Sequence, residues 1–157
     1  MRTTSTVLAL VASALVFAAC GSSGSSSTPQ GSKAAGAGIK GPVKIYRLKL
    51  SGAAETSGGA PAGAGDAIIA FHGTSVVCWR FAHLHGFTGA TSARVYAGSK
   101  DKDGKVVASL STGPQLHHQG CRHAHPSVLS AIERRPQDYY VNIHSAQHPR
   151  GAVRAQL

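Results

Sequence analysis

Apolar residues follow two different patterns along the chain. Residues 7–19 form a nearly unbroken apolar run, whereas beyond residue 43 apolar and polar positions alternate in short stretches punctuated by Gly and Pro. A period of two places successive side chains on opposite faces, so these stretches read as half-buried β-strands. Residues 75–84 carry the clearest signal, with Val77, Trp79 and Phe81 on one face. Residues 139–144 set Tyr139, Val141 and Ile143 against Tyr140, Asn142 and His144, and residues 152–157 alternate again. Residues 67–71 read as a short buried strand. In residues 43–50 the apolar parity moves from Val43 and Ile45 to Leu48 and Leu50, which predicts a bulge near Tyr46 and Arg47. Residues 91–97 and 106–110 flank the turn-forming pair Asp103-Gly104 and read as a hairpin. One segment has helical spacing instead: Val128, Leu129 and Ile132 share a face after Pro126, Ser127 is placed to cap, and Pro136 stops the helix, predicted near 127–135. About seven strands and one short helix give an all-β fold, an antiparallel sandwich or barrel.

The first apolar run has a different use. It follows Arg2 and is too short to cross about 30 Å of hydrocarbon, so residues 1–19 read as a cleaved export signal. Phe17-Ala18-Ala19-Cys20 resembles the lipobox of a bacterial lipoprotein, which implies acyl chains such as palmitate on Cys20 and a place on the outer side of the cell membrane. Two acyl chains make such attachment stable. Residues 20–42 are almost entirely Gly, Ser and Ala and cannot bury enough surface to offset ordering, so they read as a flexible tether of roughly 25 Å. Residues 43–157 then form one domain with one core.

Charge narrows the partners. Sixteen Lys and Arg against six Asp and Glu give a formal net charge of +10, lowered by one if the leader with Arg2 is removed. An exported basic domain suits anionic lipid headgroups, an anionic wall polymer or a surface protein, and not nucleic acid. The acids are too few and scattered for a glycosidase pair, and the domain has no Gly-x-Ser-x-Gly elbow. With Cys20 assigned to lipid, Cys78 and Cys121 remain. In an oxidising compartment they are expected to form a disulfide, the alternative being a Cys121 thiolate beside His117, His118, His123 and His125.

Tyr139-Tyr-Val-Asn-Ile-His144, a turn at Pro149-Arg-Gly151 and a final Gln156-Leu157 resemble the ending of the CHRD (chordin) domain family. Tyr46-Arg-Leu-Lys-Leu-Ser-Gly-Ala-Ala-Glu55 is similar to its opening strand. The resemblance implies an immunoglobulin-like or superoxide-dismutase-like β-barrel without a defined activity. Family members commonly carry Ala-His-Ile-His-Gly on a central strand; here the matching stretch is Ala93-Arg-Val-Tyr-Ala-Gly98, with Arg94 and Tyr96 at the histidine positions, so no metal role carries over to them.

Nine histidines nevertheless leave a second functional reading open. His83-Leu84-His85 on a strand would project both imidazoles from one face, and His123, His125 and His144 are the further candidates to complete a copper or zinc site. The disulfide is expected to bring the Cys121 segment toward His83 and His85. The leading expectation is a non-enzymatic, membrane-anchored binding or structural module. The alternative is a histidine-rich copper- or zinc-binding redox lipoprotein.

Overall fold

The computed structural model describes residues 42–157; the expected leader, Cys20 and nearly all of the tether lie outside them. The strands are β1 (Val43–Ser51), β2 (Ala64–His72), β3 (Val76–His85), β4 (Ala90–Ala97), β5 (Lys105–Ser111), β6 (Gln119–His123), β7 (Tyr139–Ser145) and β8 (Val153–Gln156), with one helix, α1 (Pro126–Arg134). They form a single antiparallel sheet in the order β5-β4-β7-β8-β1-β2-β3-β6, rolled into a nearly closed barrel. Where the edges β5 and β6 meet, Arg122 donates to Thr112 Oγ1 (3.1 Å), and the His117 N–H donates to Ser111 Oγ (2.8 Å).

The alternation read from the sequence fills the barrel. Ala67, Ile69 and Phe71 of β2, Val77, Trp79 and Phe81 of β3, Val141 and Ile143 of β7, and Val153 of β8 point inward and are buried. Burying large aliphatic and aromatic side chains stabilises the fold by about 1.5–3 kcal/mol each before entropy is counted. Helix α1 adds Leu129 and Ile132 to the same core. Its cap differs from expectation: His125 is the N-cap and accepts from the Ser127 N–H, while Pro126 supplies a fixed φ at the first turn.

Two local expectations are corrected. β1 pairs with β2 in continuous register and has no bulge; Tyr46, Leu48 and Leu50 face inward, and Val43 and Ile45 lie on the outer face with Arg47 and Lys49. The irregularity falls instead where β2 meets β3, between Ala64 and Asp66, opposite His83, which has φ 52°. An eighth strand, β6, was not anticipated, because Gln-Gly-Cys-Arg-His has no large apolar residue. Gly120 within it is required by packing, since a Cβ there would sit 2.6 Å from the Trp79 ring.

Candidate functional site

The disulfide joins directly opposed residues of β3 and β6, Cys78 and Cys121. That register decides where the histidines go. β6 runs antiparallel to β3, so His123 faces Val76, the end of β3 remote from His83. His83 is seven steps along the strand from Val76, about 23 Å. His125 lies further on, capping α1.

The extra residue at the bulge puts His83 in a left-handed conformation, and His83 and His85 both stay exposed, lining one pocket with Lys49 and Asp66. His83 Nδ1 bonds Asp66 Oδ2 at 2.8 Å, and His85 Nδ1 donates to the His83 carbonyl at 2.8 Å. His144 is on β7, buried, with both ring nitrogens engaged. Its Nδ1 donates to the Pro149 carbonyl (2.9 Å), so Nε2 accepts from the Tyr96 hydroxyl (2.8 Å). Burial holds the His144 imidazole below its usual pKa. Among the described residues no group of three or more His, Cys, Asp or Glu stands together where it could hold a metal ion. Of the candidate set, His83 and His85 lie together beside Asp66, whereas His123, His125 and His144 stand elsewhere.

What converges instead is a polar layer outside β4, β7 and β8. On β7 the inward residues are Val141 and Ile143; Tyr140, Asn142 and His144 face outward yet are buried. Tyr140 stacks on Tyr96, with ring centroids 5.0 Å apart and planes within 5°. The Arg154 guanidinium lies over the Tyr140 ring, 3.4 Å from the centroid, and donates to the Ser99 carbonyl at 2.9 Å. Arg154 is only 2% exposed. Gln156 Nε2 lies within 2.9 Å of the carbonyls of Gly98, Gln137 and Tyr139, closing the sheet to the chain that leads into β7.

Glu55 closes this layer from the loop after β1. A short 3-10 turn, Gly52–Ala54, delivers it, and Asn142 Nδ2 donates to Glu55 Oε2 at 3.1 Å. Burial pushes the Glu55 carboxyl up to about 7, against the opposing pull of Arg154 and Asn142. Glu55 Oε1, Asn142 Oδ1 and Arg154 Nη1 are buried without a hydrogen-bond partner. Gly151 is required here: its φ is 148°, and a Cβ would lie 2.6 Å from Glu55 Oε2 and 2.5 Å from Asn142 Nδ2. The neighbouring Thr56 and Ser57 hydroxyls donate to Asp103, tying the same loop to the β4–β5 hairpin. Both segments that carry the family resemblance thus meet in one network that ties the loops together, and its Arg154 and Gln156 also line an open pocket of about 510 Å³ with Lys49, Lys100 and Asp101.

A second open surface lies on the outer face of β1, β2 and β3. In antiparallel pairs, directly opposed residues share a face, so Arg47, Ile68 and Arg80 form one row across β1, β2 and β3, and Lys49, Asp66 and Ala82 the next. These residues, with His83, line an open groove of about 410 Å³. Arg47 and Arg80 stand on either side of Ile68, about 10 Å apart across two strand spacings. Lys49, with 87% of its side chain exposed, and then His83 hold the Asp66 carboxyl below its usual pKa. The groove keeps a positive excess, with Arg47, Lys49 and Arg80 against the single acid Asp66.

The CHRD domain family model matches residues 46–157, nearly all of the described chain. No curated protein and no solved structure matches.

Proposed function

The chain belongs to the CHRD domain family, and from that premise we propose that it is a lipid-anchored, extracytoplasmic binding module without catalytic activity, which takes an anionic partner on the outer face of β1–β3. Cys20 carries the lipid, residues 20–42 are the tether, and the barrel is the recognition unit. The observation that carries this reading is the groove flanked by Arg47 and Arg80, whose charge excess is not cancelled by neighbouring acids. Arginines at such spacing present planar donor forks suited to phosphate or carboxylate groups. The polar layer around Glu55 and Arg154 serves this surface indirectly, by fixing the loops that close the barrel behind it.

Polyphosphate is the simplest probe. Binding should weaken steeply as salt rises, because exposed charges are screened beyond about 8 Å at physiological ionic strength. Arg47→Gln with Arg80→Gln should abolish most of it while leaving the thermal midpoint within a few degrees. Undiminished binding by that double variant would remove the groove from the account.

A further inference from the structure

The outward face of β1 changes character along its length, and the change selects among anionic partners. Val43 and Ile45 come first, at 48% and 50% exposure, and Arg47 and Lys49 follow on the same side. Among the described residues only one other large hydrophobic side chain, Val106 on β5, is comparably exposed. Register extends the apolar end across the sheet: Val43 lies opposite His72 and then Val76, and Ile45 opposite Ala70 and then the Cys78–Cys121 bridge. The basic end begins one row later with Arg47 and Arg80 around Ile68. A hydrated polyanion would satisfy the arginines and gain nothing from Val43 or Ile45. A partner with negative charge above and hydrocarbon beneath satisfies both.

We propose that this face seats on an anionic lipid surface, with Val43 and Ile45 entering the headgroup layer and Arg47, Lys49 and Arg80 facing its phosphates. The inference rests on the anionic-partner reading above and names that partner. Its direction fits the chain: the apolar end is the start of β1, where residues 20–42 would lead back to a lipidated Cys20. Amphipathic surfaces of this composition bind through apolar burial together with attraction to anionic headgroups. Tethering raises the effective concentration of the face at the bilayer, so a modest intrinsic affinity suffices.

The test uses residues 20–157 carrying Cys20→Ser, so that neither the leader nor a lipid is attached, and sedimentation with vesicles. Vesicles of phosphatidylglycerol mixed with phosphatidylcholine should bind it, and phosphatidylcholine alone should not. Val43→Thr with Ile45→Thr, which keeps β-branched residues at exposed positions, should lower vesicle affinity about tenfold or more and leave polyphosphate binding unchanged. Arg47→Gln and Arg80→Gln should each cost about fivefold on vesicles. Polyphosphate binding without vesicle binding would overturn the lipid assignment and leave the groove standing; vesicle binding indifferent to Val43→Thr and Ile45→Thr would also overturn it. Failure to bind either probe would remove both readings.

Discussion

Glu55 loses more from burial than it gains from Arg154 and Asn142, and its carboxyl rises from 4.5 to about 7. The sign of its effect on stability follows: the folded state binds a proton that the unfolded chain releases between those values. Its contribution is fully present below pH 4.5 and is lost as pH rises through about 7. His144 acts in the opposite sense, because burial lowers its pKa and its contribution is lost as pH falls below 6.5. Comparison with Glu55→Gln separates the two. Urea midpoints should show the native protein losing ground to that variant between pH 4.5 and 7, and a constant gap would contradict the assignment. Gly151→Ala would press a methyl into the Glu55 carboxyl and the Asn142 amide, and should cost about 1–3 kcal/mol in the same assay. The sequence did not point to this place: Glu55 reads as a loop acid and Arg154 as one base among sixteen. Only strand order, with β8 between β7 and β1, brings them together.

At the scale of elements, strands whose apolar residues alternate cleanly were legible, β3, β7 and β8 foremost. β1 misled because Val43 and Ile45 are apolar on an outward face, so the apparent parity shift reflects surface composition and not a bulge. The actual bulge at His83 moves the inward parity from Val77, Trp79 and Phe81 to Leu84, a shift carried by that one leucine alone. β6 is a polar edge strand held by backbone pairing and by one covalent bond to β3. Cutting that bond therefore bears on the strand that closes the barrel. Cys78→Ser with Cys121→Ser, positions 43 residues apart, should lower stability by about 2–4 kcal/mol, measured by urea denaturation. It should also speed hydrogen exchange in residues 119–123 more than in β2 or β7. Uniform acceleration would mean that β6 is not separately dependent on the bridge.

The whole molecule has two sides with different work. Outside β4, β7 and β8 a buried polar layer locks the loops, and outside β1, β2 and β3 a basic groove and an apolar edge face solvent. Among the described residues no group of three or more His, Cys, Asp or Glu stands together, although histidines are abundant in the sequence, and the register of β6 carries His123 away from His83. Density of ligand residues was legible; their dispersal required the ladder. The central claim is that the barrel recognises anionic partners through Arg47 and Arg80. The most direct measurement is the salt dependence of polyphosphate affinity for the native chain and for the variant carrying Arg47→Gln and Arg80→Gln. The native chain should show a steep decline with salt, and the variant weak, nearly salt-independent binding. Equal affinities and equal salt slopes for the two proteins would contradict it.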